Sequence, residues 1–490
     1  MTKTYEEINE KIRDGNAVVV TAEEMIEIVG NNGVEVAAEE VDVVTTGTFG
    51  AMCSSGAFLN FGHSDPPCKP EHVWLNGVHA YHGNAAVDIY IGVTRMSDKR
   101  PFKYGGGHVI EDLLIGKPIK LRGTSYTTDC YPLEEIDTVF TLDDLNQAIL
   151  CNPRNGYQRY NCATNSTNRT IYTYMGKLLP NYGNATYSGA GELNPIQNDP
   201  DFETIGIGTK IFLGGGIGYV IGEGTQHDPK NAFGSLFVKG NLKNMNAEYL
   251  RGVNFEKYGT TMYVGLGIPI PILNAGLAKK CAIKDEDIIT EVKDYGVPRR
   301  EKPVLTKVSY KELKSGRIEV NEKSIRCSSL SSLYMARKIA NKLKDWIKKG
   351  DFQLTKPVGK IPLDTKFKPM KMTKEIKFVR SVSRDAFTCT LNDNIKYVAN
   401  LILKESTNHL PVVDNSGRLV GIVTSFDITE GLALDKTRLK DIYTKKVIYT
   451  ECDEPIDVAA RKMRANKISA LPVVDKDHKV IGIVSAEDLI

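Results

Sequence analysis

No CxxC pair occurs in the 490 residues: the nine cysteines are scattered, and the closest consecutive two are Cys151 and Cys162. That spacing excludes a ferredoxin-type cluster or a Cys-rich zinc site built from local sequence. In a long chain of this kind the cysteines are expected to be thiols or ligands, not a disulfide framework. Long apolar runs are also missing. No stretch approaches the ~18 residues that cross a bilayer, and the opening MTKTYEEINEKIRDG lacks the apolar centre of a secretory signal. The expected location is the cytoplasm, with no membrane partner. Charge of one sign is not in excess either, since 63 Lys and Arg face 60 Asp and Glu for a net +3. A whole-molecule attraction to nucleic acid is therefore not expected, and a small charged metabolite fits better. Finally, no GK[ST] phosphate loop occurs, and in LGGGIGYVIGEG Tyr219 stands where a GxGxxG register needs its third glycine after Gly214 and Gly216. Dinucleotide binding is disfavoured.

What is present exceeds one hydrophobic core in length, so two or three domains are expected. The chain opens with α/β alternation: a polar helical stretch YEEINEKIRDG, an apolar run AVVVT, a helical AEEMIEIVGNNG and a second strand VDVVTTG. From Thr45 to about Gly276, short β-rich runs such as HVWLNGV, AAVDIYIGV, TKIFLGG and TMYVGLGIPIPI are punctuated by Gly, Asn and Thr. The fold class expected is α/β, with a mixed, β-rich catalytic region. Leu333, Ile339, Leu343 and Ile347 recur at helical spacing in SSLSSLYMARKIANKLKDWIKKG. Its lysines are read as a solvated face, not a nucleic-acid site. The Pro- and Lys-rich LTKPVGKIPLDTKFKPMKMTKE then marks a linker, which places one domain at 1–370 and another at 371–490.

The second domain repeats. HLPVVDNSGRLVGIVTSFDI and ALPVVDKDHKVIGIVSAEDL are related by an offset of 61 residues, as are Ile395 with Ile456 and Ala399 with Ala460. Each unit, at about 380–430 and 441–490, is expected to run helix, strand, turn, strand, helix. This pattern resembles the CBS motif family, in which two motifs form one module and bind adenosine-containing ligands through a G-h-x-[ST]-x-x-D segment. The matching positions are Gly421, Thr424 and Asp427, then Gly482, Ser485 and Asp488. The resemblance implies an adenosyl ligand and leaves AMP, ATP, S-adenosylmethionine and methylthioadenosine all open; it is the domain context, the region fused before the pair, that puts S-adenosylmethionine or methylthioadenosine ahead of AMP or ATP. The aspartates are expected on the ribose hydroxyls and Thr424 and Ser485 on the polar group beyond. The resemblance also implies at least a dimer, for which the apolar helix positions Val398, Ile402, Val458 and Met463 are available.

Two cysteines sit in loops rich in small and hydroxylated residues. Cys53 lies in VDVVTTGTFGAMCSSGAFLNFGHSDPP and Cys130 in LRGTSYTTDCYPLEEI. A helix starting after Cys53 would favour its thiolate. Taken alone, either is as readily an ordinary buried thiol. The segments TTGTFGAMCSSGAFLNFGHSDPP, GTSYTTDCYP and IFLGGGIGYVIGEGTQH resemble the L-aspartate semialdehyde sulfurtransferases of homocysteine biosynthesis, through most of residues 1–370. That resemblance implies Cys53 and Cys130 as the catalytic pair and L-aspartate semialdehyde and sulfide as substrates. Redox counting makes a cysteine persulfide intermediate intelligible, expected on Cys130 with Cys53 resolving, an order that the sequence does not determine. Two electrons would come from a separate ferredoxin-like iron–sulfur protein, so no bound cofactor or metal is expected. His79 with His82, and His63 with Asp65 and Cys68, are mixtures too short to define a metal site. Arg122, Arg154, Arg159 and Arg169 are candidates for the substrate carboxylate.

Overall fold

The computed structural model describes residues 2–82, 85–155, 158–371 and 376–489. The chain divides into two compact units, residues 1–296 with 302–368, and residues 297–301 with 369–490. Among the described residues no helix is long and apolar enough to cross a membrane.

In the first unit the helix Tyr5–Arg13 begins at Thr4, whose hydroxyl accepts from Glu7 N while the Glu7 carboxylate accepts from Thr4 N; Ile8 and Ile12 point into the core. The helix Ala22–Asn32 starts with the same device, Thr21 and Glu24. Strand Val19–Thr21 runs parallel to Val43–Thr45, which pairs antiparallel with Pro269–Pro271. Between the first two strands sits Asp42, fully buried, accepting from Lys11 at 2.8 Å and Val18 N at 2.9 Å, with Lys3 at 3.1 Å. Burial works to raise its pKa, but these three partners prevail and hold the carboxyl below its usual range.

The Gly-rich middle of the sequence forms a thirteen-stranded sheet. One half runs from Leu250–Phe255 through Gly259–Gly267, Lys210–Leu213, Gly216–Glu223 and Leu236–Asn241 to Gln147–Asn155. The other continues through Gly56–Asn60, Asp88–Gly92, Val78–His82, His72–Leu75 and Ile119–Thr124 to Glu135–Phe140. Strand Thr48–Ala51 joins it by pairing with Gly259–Gly267. A second sheet of six strands is centred on Cys162–Thr164 and Ala185–Tyr187. The sequence-predicted helix forms as Leu333–Lys348, and its buried Ile339, Leu343 and Ile347 share a core with Phe49, Phe212 and Phe352.

The second unit shows the repeat directly. His409–Val413 pairs with Leu419–Thr424, and Ala470–Val474 with Val480–Ser485, in the same register and with a bulge at the same step. Helices Ile395–Lys404 and Ser425–Ala433 flank the first hairpin; Ile456–Asn466 and a 3-10 turn, Ala486–Leu489, flank the second. Of the apolar helix positions named from the sequence, Val398, Ile402 and Met463 are buried within the module and Val458 is half-buried. On the two helices of the first repeat the exposed apolar side chains are Tyr397, Leu403, Phe426 and Leu432.

Candidate functional site

Cys53 sits in a turn at one end of the large sheet. Strand Thr48–Ala51 leaves the sheet opposite Tyr263, the chain turns with Ser55 N donating to Met52 O at 3.0 Å, and it re-enters at Gly56. Only glycine fits there: a Cβ on Gly56 would lie 2.2 Å from Tyr90 Oη and 2.7 Å from the Ile91 carbonyl. No helix follows Cys53, because Gly56–Asn60 is a strand, so the helix-dipole contribution considered from sequence is not available. Instead Thr261 Oγ1 donates to Cys53 Sγ at 3.3 Å. Cys53 is half-buried and opens on a cavity of about 360 Å³ lined also by Tyr160, Asn161, Tyr174, Ser188 and Tyr258. Tyr174 is oriented by an edge contact with Tyr258 and by a 3.0 Å hydroxyl contact with Tyr295. Ser188 Oγ lies 3.3 Å from Ser331 Oγ. The cavity therefore offers one thiol, aromatic walls and neutral hydrogen-bonding groups. Neither Arg122, Arg159 nor Arg169 lines it; Arg122 projects from the sheet over Trp74, and the side chain of Arg154 lies outside the described residues.

Cys130 is exposed, at the tip of the hairpin joining Ile119–Thr124 to Glu135–Phe140. The tip is ordered by its own contacts. Ser125 N donates to Glu134 O at 2.7 Å, Thr128 and Tyr131 exchange backbone bonds at 3.0 Å, and the Tyr131 ring stacks on His63 at 6.0 Å. Cys68 Sγ donates to Leu133 O at 3.6 Å. These contacts use His63 and Cys68 structurally, and among the described residues no group of three His, Cys, Asp or Glu is placed to hold a metal. His79 packs instead with Trp74 and Tyr81, 3.5 Å from an Arg95 nitrogen.

The structure does not bring Cys53 and Cys130 together within one chain. The ladder pairs Gly56 with Gly92 at the Cys53 end and Asn60 with Asp88 at the other, and the latter end is where His63 meets Tyr131. The strand Gly56–Asn60 alone spans about 13 Å, and four strand spacings, about 19 Å, separate it from Ile119–Thr124. All nine cysteines are free thiols. Six of the other seven are buried, and burial pushes the Cys151 thiol up to about 11 and Cys389 to about 12. Cys162 is raised by a hydrogen bond with Cys327 and by burial. Thiolate chemistry is suppressed at these positions.

In the second unit, Thr424 caps helix Ser425–Ala433: its hydroxyl donates to Asp427 Oδ2 at 2.7 Å and accepts from Asp427 N at 3.2 Å. Ser485 and Asp488 make the equivalent 2.7 Å contact. The two halves then diverge. Arg384 bonds Asp488 through Nη2 at 3.0 Å and Ser485 Oγ at 2.9 Å, and its Nε lies 3.0 Å from Asp488 Oδ1. Its backbone pairs with Ile483, whereas the residue pairing with Ile422 is Thr444, so the position equivalent to Arg384 in the first half is a threonine. Burial opposes it, yet the Ser485 and Arg384 bonds hold the Asp488 carboxyl below its usual range. A cavity of about 390 Å³ opens beside this second half, lined by Arg384, Phe387, Glu405, Asn408, His409 and Ser485 among others.

The first unit thus carries a half-buried thiol in an aromatic cavity, and the second a duplicated hairpin module with a polar cleft. The family model described as homocysteine biosynthesis enzyme, sulfur-incorporation, matches residues 17–354, and the CBS domain model matches 378–434 and 439–490. The chain belongs to the homocysteine biosynthesis enzyme family and is a sulfur-transferring enzyme with a CBS pair. Proteins of Methanosarcina acetivorans and Methanocaldococcus jannaschii, each named L-aspartate semialdehyde sulfurtransferase, are each 53% identical to it over 99% of this chain and 98% of theirs. A solved CBS domain pair in complex with 5′-methylthioadenosine and S-adenosyl-L-methionine is 41% identical, covering 24% of this chain and 94% of that one, with a TM-score of 0.23.

Proposed function

We propose that the chain converts L-aspartate semialdehyde and sulfide, with two electrons and two protons, to L-homocysteine and water. The observation that carries this reading is 53% identity, along almost the whole chain, to two proteins named for that activity. The accessible thiols Cys53 and Cys130 support it. Sulfide opens a Cys53–Cys130 disulfide, leaving a thiol on Cys53 and a persulfide on Cys130. The persulfide's outer sulfur adds to the aldehyde, forming a C–S bond and a hydroxyl. Two electrons and two protons then replace that hydroxyl with hydrogen and release water. The electrons come from a separate low-potential ferredoxin-like iron–sulfur protein. Finally the Cys53 thiolate attacks Cys130 sulfur, homocysteine leaves as the thiol, and the disulfide is restored. In this scheme Asn161 and Ser188 bind the substrate's polar groups and the tyrosines exclude water. The purified chain with sulfide, aldehyde and a low-potential reductant should release homocysteine, and Cys53→Ala and Cys130→Ala should each abolish release. Full activity in both variants removes the mechanism.

The CBS module, in the same reading, binds an adenosyl compound derived from methionine and so reports on the pathway's product. Its exposed Tyr397, Leu403, Phe426 and Leu432 suit association into a dimer or larger assembly. Calorimetry against S-adenosylmethionine, methylthioadenosine, AMP and ATP tests the preference; tightest binding of ATP, or no binding, overturns it.

A further inference from the structure

The two thiols of the proposed reaction must exchange sulfur bonds, and a disulfide requires Cα atoms within about 7 Å. In one chain they sit at opposite ends of the same sheet, on the order of 20 Å apart by strand length and spacing. A swing of the Cys130 hairpin across that distance would have to break its ladder with His72–Leu75, the Tyr131 stack on His63 and the Cys68 contact with Leu133. At the hairpin tip Tyr126 and Cys130 are both exposed. The Cys53 cavity is the complementary feature: a recess whose rim carries the partly exposed Tyr174 and Tyr258.

Resting on the two-cysteine reading above, we propose that the active site is formed between two copies of this chain, the hairpin of each inserting Cys130 into the Cys53 cavity of the other. A two-fold dimer satisfies both copies at once, because the symmetry that brings one hairpin to its partner's cavity brings the partner's hairpin to the first. The catalytic disulfide is then an intersubunit bond: it is opened by sulfide and re-formed at homocysteine release, so no oxidant beyond the substrates is consumed per turnover.

The test is complementation with full-length chains. Cys53→Ala and Cys130→Ala variants are co-expressed with different affinity tags, the hetero-oligomers are recovered through both tags, and homocysteine release is measured. In a mixed dimer one site has both cysteines and the other has neither, so activity should return to about half of wild type, or about one quarter in an unfractionated random mixture. Mixed oligomers as inactive as the single variants, or failure to recover any mixed oligomer, overturn the inference while leaving the two-cysteine chemistry standing. Single variants that are active alone overturn both. As an independent readout, diamide takes two electrons and two protons from a thiol pair. It should yield a crosslinked dimer on a non-reducing gel for wild type and for the mixture, and none for either variant alone; a monomeric band for wild type overturns the inference.

Discussion

Replacing Asp488 should cripple adenosyl binding, while replacing its repeat mate Asp427 should not, although the sequence gives the two aspartates equal standing. The difference comes from the surroundings. Ser485, three residues before Asp488, lines the cavity with Arg384, and Thr424 does not line it. Asp488 already accepts from Ser485 and from two Arg384 nitrogens, so its carboxylate is oriented before a ligand arrives. A ribose hydroxyl need only replace or share the arginine's bonds, since a carboxylate has about four acceptor positions. Losing a hydrogen bond to a charged group costs about 1.5–3 kcal/mol, which is roughly a ten- to hundredfold weaker Kd. Asp427→Ala should stay within about threefold of wild type, because it removes only a helix-capping contact worth about 1 kcal/mol to the helix itself. Titration calorimetry of the full chain with S-adenosylmethionine, for wild type and both variants, makes the comparison. Thermal unfolding followed alongside it separates lost affinity from lost structure. Equal losses in the two variants, or an undiminished Kd in Asp488→Ala, would refute the assignment of the ligand to the second half-site.

Gly56→Ala should lower turnover more than stability: the added methyl must displace the Tyr90 ring and the Ile91 backbone, at about 1–3 kcal/mol, and the nearest movable element is the Cys53 turn. Kinetics paired with thermal melting check this, and wild-type kcat would count against it. Asp42→Asn should cost about 3 kcal/mol and flatten the acid limb of the stability curve. The native pKa of Asp42 is depressed, so its contribution is present above the unfolded value of about 4 and is lost as pH falls through the native one; an unchanged acid midpoint would contradict this. His409, which lines the CBS cavity and lies 3.0 Å from Ser469 Oγ, has a pKa lowered by burial. The stability it contributes is therefore complete above about pH 6.5 and declines as pH falls below that. Melting temperatures from pH 5 to 8 should show this slope in wild type and a weaker one in His409→Gln.

What could be read from the sequence depended on the range of the interaction. The two CBS hairpins were legible because their pairing partners lie within about fifteen residues, and the repeat states the same register twice. The helix Leu333–Lys348 was legible from its own periodicity. Helix faces were less so: Val398 and Ile402 pattern as an outer stripe as well as an inner one, and only packing decides that Leu403 and Tyr397 are outside. The order of the large sheet was not legible, since Gly56–Asn60 pairs with Gln147–Asn155 across some ninety residues of loop-rich chain and nothing in either strand names the other.

The same limit shaped the site. Cys53 and Cys130 could be picked out by loop chemistry and resemblance, but Thr261, Asn161, Tyr174 and Ser188 come from four other segments and carry no local signal. Nor does linear spacing say which end of a sheet a hairpin leaves from. That one topological fact separates Cys53 from Cys130. A reaction needing two thiols in contact, on a chain that holds them apart on firm elements, places its chemistry at a contact between chains. On the two-cysteine reading proposed above, the need for two thiols in contact is itself a reason for the enzyme to assemble.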